Sequence, residues 1–258
     1  MARHRSGQPQ IPLKDARAQA TMRRAGRIVA LALAKVGEAL RPGITTGELD
    51  ALAEQTIRGL GAVPTFLGYQ GYPATACLSV NQEVVHGIPG PRPLREGDIL
   101  GVDLGATVEG WVADGAFTFP VGVVSAETTR LLEAGQGALA AGIAMARPGN
   151  RIRDIGAAIE GFTKAQGYTV VRDLCGHGVG RSMHEPPQVP NYPAPGGEQV
   201  LSAGMALAIE PMVNAGGAGV RILNDGWTFV TLDGSLSVHF EHTVLIQPEG
   251  PEIITLLR

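Results

Sequence analysis

Four acids sit in apolar runs that would otherwise read as core strands. Asp103 closes Asp98-Ile-Leu-Gly-Val-Asp103, and Asp114 follows eleven residues later. Glu210 ends Met205-Ala-Leu-Ala-Ile-Glu210, and Glu241 interrupts the stretch Val238 to Ile246. One such acid is commonly a solvent-facing residue on an edge strand. Four at related places are not, because an unpaired carboxylate in a core strand costs several kcal/mol and therefore wants a cation. Histidines offer a second donor type. His177 and His184 share the segment Cys175 to Pro187 with glycines that let backbone approach a ligand, and His86 lies in Val84-Val-His-Gly-Ile-Pro89. Neither cysteine has metal-finger spacing and no His-Glu-x-x-His helix is present, so the usual mononuclear zinc sites are excluded. Four carboxylates on one divalent ion would leave a charge of about −2 in a buried site, and a second ion brings the balance closer to neutral. Oxygen-rich ligation with one imidazole suits Mn, Fe or Co at least as well as Zn. The residues predict a dinuclear hydrolase centre.

The elements that must position these residues occur twice. Helical periodicity begins near Asp15 and ends at Arg41-Pro42-Gly43. Thr45-x-x-Glu48 is a capping box that opens a second helix with Leu49, Leu52, Ala53, Ile57 and Leu60 on one face, and Gly61 stops it. Strand-like runs follow from Cys77 to Val123, with a turn at Glu109-Gly110 that would fold Asp103 and Asp114 against each other. The order then repeats. A helix spans Ser125 to Ala146, Asn150 caps another that stops near Gly167, and strands resume. Arg41-Pro42-Gly43 recurs as Arg147-Pro148-Gly149, an offset of 106 (147 − 41). Leu94-x-x-Gly97-x-x-Leu100-x-Val102-Asp103 recurs as Leu201-x-x-Gly204-x-x-Leu207-x-Ile209-Glu210, an offset of 107 (201 − 94). The expected architecture is α+β: residues 1–14 form a loose tail, and residues 15–258 form one domain of two related halves, about 15–123 and 125–247. The halves share an antiparallel sheet with helices on one face.

Composition narrows the class. The chain has 258 residues, 44% of them hydrophobic and 17% charged, which suits a self-sufficient core and excludes disorder. A net charge of −3 argues against broad attraction to nucleic acid or anionic lipid. Two cysteines, Cys77 and Cys175, suggest a reducing compartment rather than a disulfide framework. No apolar run approaches a membrane span, and the polar start lacks a secretory signal's apolar stretch. A cytoplasmic globular protein is expected.

The ordered set His86, Asp103, Asp114, His177, His184, Glu210 and Glu241, with its surroundings, closely resembles type I methionine aminopeptidases. The resemblance runs from about residue 15 to the C-terminus. Its most specific stretches are Gly68 to Pro73, Asn81 to Pro89, Cys175 to Pro187, Ile209 to Asn214, Asn224 to Trp227 and Phe240 to Thr243. It implies the duplicated pita-bread (creatinase/aminopeptidase) fold with a pseudo-two-fold axis, and two divalent ions per chain: Co, Mn, Fe or Zn. Metal ligation is carried onto Asp103, Asp114, His177, Glu210 and Glu241. His184 would hydrogen-bond the carbonyl oxygen, Glu210 would also shuttle a proton, and His86 would sit near the leaving nitrogen. Tyr69, Tyr72, Cys77, Met183 and Trp227 would line the pocket for a methionine side chain.

The implied activity is removal of the initiator methionine when the second residue is small and uncharged. The implied partners are N-terminal Met peptides and nascent chains, with the ribosome surface near the exit tunnel. Neither nucleic acid as substrate nor a membrane is expected, and the chain is expected to be a monomer. The chain also departs from the family. Ala208 and His239 stand where Thr and Gln are usual, and Val85, Phe66 and Met183 stand where Cys, Cys and Phe are common. Alternation along a strand would put His239 on the face of Glu241, near the ligands. The rival readings are an Xaa-Pro peptidase of the same fold, which usually carries an extra N-terminal domain, and a non-catalytic binding protein that would have lost the ligands.

Overall fold

The computed structural model describes residues 11–256. Its first part contains helices α1 (Ala16–Ala39) and α2 (Thr46–Gly59), then strands β1 (Val63–Pro64), β2 (Ala76–Val80), β3 (Glu83–Val85), β4 (Ile99–Val108) and β5 (Trp111–Pro120). Next come α3 (Ala126–Met145), α4 (Ile152–Ala165), β6 (Thr169–Val170), β7 (Cys175–Gly178), β8 (Glu185–Pro190) and β9 (Ala206–Ile209). The chain ends with β10 (Met212–Asn214), β11 (Val220–Ile222), β12 (Phe229–Thr231), β13 (Ser237–His239), β14 (Glu241–Gln247) and β15 (Gly250–Ile253). A nine-stranded antiparallel sheet runs β1-β4-β5-β14-β9-β7-β8, with β2 also on β4 and β15 on β14. Two three-stranded sheets, β13-β10-β6 and β11-β12-β3, flank it.

Local chemistry sets the helix ends. Asp15 caps α1 by accepting from the Ala18 amide, and Ser125 caps α3 through the Thr128 amide. The Thr45–Glu48 capping box forms as expected. Asn150 does not cap α4, contrary to the sequence reading. The N-cap is Arg151, whose amide donates to the Asp154 carboxylate at 2.7 Å, while Asn150 Nδ2 donates to the Met145 carbonyl and closes the end of α3 instead. The 106–107 offset recurs in space. Thr45 bridges Pro93 just as Arg151 bridges Val200, at offsets of 106 (151 − 45) and 107 (200 − 93).

The helices cover one face of the sheet. A Cβ on Gly115 would lie 3.1 Å from Val29 of α1, and one on Gly135 of α3 would overlap Phe240. One apolar core fills the space between α1, α2 and β4–β5, with Val29, Val36, Leu49, Leu100 and Leu104. Another lies between α3, α4 and β9, with Leu131, Ile155, Ile159, Ile209 and Phe240. Neighbouring residues of a strand point to opposite faces, so Asp114 points away from the helices that Gly115 touches. Among the described residues, no helix is long and apolar enough to cross a membrane.

The tail expected over residues 1–14 falls, for residues 1–10, outside the described residues. Of the rest, Ile11 packs on the second core and Lys14 is 4% exposed.

Candidate metal centre

Ladder register alone puts the five expected ligands on one face. Asp103 on β4 and Glu241 on β14 both stand opposite Ala116 on β5, from its two sides. Asp114 lies two residues from Ala116 and so shares its face. Thr243, two residues from Glu241, pairs with Ala208, which also pairs with His177; Glu210 follows Ala208 by two. The turn at Glu109-Gly110 makes this possible. It is a two-residue hairpin loop with φ of 50° and 75°, the left-handed pair whose twist matches the flanking strands. It sets Gly105 opposite Asp114, which leaves Asp103 and Asp114 on one face of adjacent strands.

The side chains converge. Ligand atoms of Asp114, His177 and Glu241 all lie within 4.8 Å of one another. His177 Nε2 is 3.6 Å from Asp114 Oδ2 and 3.5 Å from Glu210 Oε1. Burial raises the pKa of all four carboxyl groups. Asp114 is pushed up to about 7, and Asp103, Glu210 and Glu241 go well above their usual range, with mutual repulsion adding to desolvation. Burial lowers His177 to about 4, so its ring is neutral near pH 7. Its Nδ1 lies 2.9 Å from the Gly178 carbonyl, which fixes the proton there. The bare Nε2 lone pair therefore faces two carboxylates. Each of these oxygens stands 3.5–3.6 Å from Nε2, beyond ordinary hydrogen-bond distance, and that spacing suits ligands about 2.1 Å from one ion. Asp103 Oδ1, Asp114 Oδ1 and Glu241 Oε1 are buried and have no hydrogen-bond partner among the described residues. The donor set fits divalent metal.

Other sequence-predicted residues surround this centre. His239 is 3% exposed, and its Nε2 stands 3.6 Å from Glu210 Oε2. It arrives there differently from the sequence reading. The run Val238 to Ile246 is not one strand, because the ladder breaks at Phe240 and β13 and β14 belong to different sheets. Burial and the neighbouring His86 lower His239 to about 3. His86 has a left-handed backbone, φ 60°, and its ring lies edge-on to Phe229 (5.7 Å) and Trp227 (6.4 Å). His184 is exposed on one side, and its ring centroid is 4.3 Å from that of His177.

Of the five residues expected in an apolar pocket, Tyr72 and Cys77 form a cluster with Phe66 and Ala74, against which Met183, Trp227 and Ile88 pack. Tyr69 stands apart, its hydroxyl 2.8 Å from His184 Nδ1. A cavity of about 660 Å³ opens against His177 and His184 and continues between Pro186–Gln188 and Gly196–Gln199. None of the four carboxylates lines it.

Three supports were not read from the sequence: the Tyr69–His184 bond, Asn191 Nδ2 donating to the Glu210 carbonyl at 3.0 Å, and the Thr243 hydroxyl on the Asp114 backbone. A tyrosine, an asparagine and a threonine in ordinary contexts carry no signal of such partners.

Comparison with known proteins agrees with this geometry. The model of metallopeptidase family M24 matches residues 20–248. A methionine aminopeptidase of Clostridium perfringens is 48% identical over 248 residues, 96% of this chain and all of that protein. Methionine aminopeptidase 1 of Bacillus subtilis is 47% identical, over 95% of this chain and 99% of its own length. The crystal structure of methionine aminopeptidase from Rickettsia prowazekii superposes with a TM-score of 0.94 at 38% identity, covering 96% of this chain and all of that one. A prolidase from Pyrococcus furiosus shares the fold alone, at 23% identity and a TM-score of 0.78, and this chain covers 66% of it.

Proposed function

The chain belongs to metallopeptidase family M24, with its pita-bread fold, and on that premise we propose that it hydrolyses the peptide bond after an N-terminal methionine. The observation that carries this reading is the juxtaposition of a carboxylate–imidazole cluster with a small apolar cluster around Tyr72, Cys77, Met183 and Trp227. Thioether, thiol and aromatic walls suit an unbranched methionine side chain and reject a charged one.

We assign Asp103, Asp114, His177, Glu210 and Glu241 as ligands of two divalent ions of the Mn, Fe, Co or Zn type. When bound, such ions supply Lewis-acid polarisation of a carbonyl and ionise water near neutral pH. The protein's own groups do the rest. The Tyr69 hydroxyl lies 2.8 Å from His184 Nδ1; in the tautomer in which it donates there, the imidazole proton sits on Nε2, which can donate to the scissile carbonyl oxygen as it gains charge. Glu210, whose Oε1 lies 3.5 Å from His177 Nε2 at the centre, can take a proton from water and pass it to the leaving amine. His86, lowered to about 4 by burial, is neutral near pH 7 and can accept a hydrogen bond at the leaving nitrogen. Its crowding by Trp227 and Phe229 supports a limit to small second residues. The cavity beyond His184 gives the remainder of the peptide a way out. His239 tunes the centre through Glu210.

On the same reading the chain is one domain of two related halves, acts as a monomer in the cytoplasm, and meets nascent chains near the ribosomal exit. Two free cysteines fit a reducing compartment. The test is the intact mass of a small cytosolic protein that begins Met-Ala. Incubation with the metal-loaded enzyme should remove one methionine residue, and an unchanged mass would contradict the reading.

A further inference from the structure

Beside the metal centre stands a buried ion pair that the reaction as described does not use. Lys14 Nζ lies 2.6 Å from Glu185 Oε2, with side-chain exposures of 2% and 9%. The two residues are 171 positions apart. The same ammonium donates to the Pro12 carbonyl at 2.8 Å, and the Lys14 amide donates to the Gly204 carbonyl at 2.7 Å, so the lysine is held from both ends. The other carboxylate oxygen, Glu185 Oε1, accepts from the Arg181 amide at 2.7 Å and the Ser182 amide at 3.2 Å.

These contacts enclose the turn from Gly180 to Glu185. That turn has little structure of its own: among its backbone amides, Gly180 donates to the Ser182 carbonyl, and Arg181 and Ser182 depend on Glu185. Its start is tied to β5 by the Val112 amide on the Gly180 carbonyl, at 2.8 Å. A Cβ on Gly180 would come within 2.6 Å of Glu185 Oε1 and 2.7 Å of Lys14 Cε, so the turn is packed directly on the pair. Two of its residues face the site. Met183 packs on the apolar cluster, and His184 meets Tyr69 and His177.

We propose that Lys14 is a positioning residue for this reaction: through Glu185 it fixes the turn that aims the His184 imidazole and sets Met183 against the pocket. The proposal rests on the roles given above to His184 and Met183. The physical reason is that the pair is held at both ends, Lys14 by the Pro12 carbonyl and Glu185 by two turn amides. Glu185 needs one charged partner to hold it buried, and with that partner in place its second oxygen serves as the acceptor the turn lacks. Loss of the lysine charge would draw the carboxylate toward water and release both amides. Misplacement by about 1 Å at a group that acts on the reacting atoms costs on the order of 10²-fold in rate.

Lys14→Met keeps the length of the side chain without its charge, Lys14→Arg keeps the charge, and Glu185→Gln tests the pair from its other side. The measurements are kcat and KM for Met-Ala-Ser at saturating Mn, the affinity for Mn, and the imidazole nitrogen resonances of His184. Lys14→Met and Glu185→Gln should lower kcat on the order of 10²-fold and raise KM as Met183 leaves the pocket, with Mn affinity changed by less than about threefold. The His184 Nδ1 resonance should shift as its bond to Tyr69 loosens, and Lys14→Arg should keep the native values. Native kcat and an unmoved His184 resonance in Lys14→Met would overturn the proposal. So would a loss of rate that followed Mn affinity, because the lysine would then act on the ligands. If the native enzyme failed to cut Met-Ala-Ser, the aminopeptidase reading would fall, and the His184 resonance would still decide whether Lys14 fixes the turn.

Discussion

Thr243 and Asp114 are joined through a single oxygen. The Thr243 hydroxyl donates to the Asp114 carbonyl at 2.8 Å and accepts from the Asp114 amide at 2.9 Å. It therefore stitches β14 to β5 at the point where both carry a proposed ligand, and it does so fully buried. Replacement by valine keeps the shape but leaves a buried N–H and C=O unpaired. Thr243→Val should cost about 1–3 kcal/mol of stability, read by denaturant unfolding, and should weaken Mn binding in calorimetry. Native stability together with native affinity would mean that the stitch does not position the ligand.

Asp114 and His239 should differ sharply. Asp114 stands among the ligand atoms of His177 and Glu241, whereas His239 reaches the centre through Glu210. Asp114→Asn should lose metal on dialysis and with it the peptidase activity. His239→Ala should retain metal and shift its affinity by about 10–100-fold. Elemental analysis after dialysis distinguishes the two.

The metal-free protein should lose stability as the pH rises above about 6.5. A carboxyl group whose folded pKa is raised, as Asp114 is to about 7, binds more protons folded than unfolded. Its contribution is complete below the unfolded value and is lost as the pH climbs through the folded one. Asp103, Glu210 and Glu241 act in the same direction. The imidazoles oppose them: His86, His177 and His242 at about 4, His239 at about 3, and His184, also lowered by burial, favour the folded state increasingly as the pH rises towards 6.5, and no further. Above that point the carboxyl groups act alone. Tm in chelator should fall as the pH climbs from 6.5 through about 7, where Asp114 titrates, and added Mn should remove the fall. A flat profile in chelator would contradict the buried four-acid cluster.

Trp227 closes the apolar cluster, edge-on to Tyr72 at 5.1 Å between ring centroids. Trp227→Ala should lower kcat/KM for Met-Ala-Ser by about 10–100-fold, the range expected when a hydrophobic pocket loses contact with one side chain. Mn affinity should be unchanged. An equal fall in both would place the tryptophan's effect at the metal rather than at the methionine pocket.

Much of this was legible in the sequence because acids in apolar strands are rare and positions two apart share a face. Asp103, Asp114, Glu210 and Glu241 identified themselves in that way. Hydrophobic pattern does not record where a strand leaves its sheet. The break at Phe240 was invisible because Phe240 itself is 1% exposed and continues the apolar run. Capping preference pointed to Asn150, but the Asp154 carboxylate was the stronger partner for the chain one residue later. The pairing of Lys14 with Glu185 joins residues 171 positions apart, and a lone lysine near the start of a chain reads as a solvated charge. Long-range polar partners are set by the packed fold and leave no local trace.

The central claim is that the apolar cluster selects methionine at a metal centre. The most direct test is kcat/KM for Met-Ala-Ser against Lys-Ala-Ser with the same Mn-loaded enzyme. A lysine side chain in the space bounded by Tyr72, Cys77, Met183 and Trp227 would bury an unpaired charge, so the ratio should exceed about 10³. Comparable values for the two peptides would contradict the claim and describe a broad aminopeptidase instead.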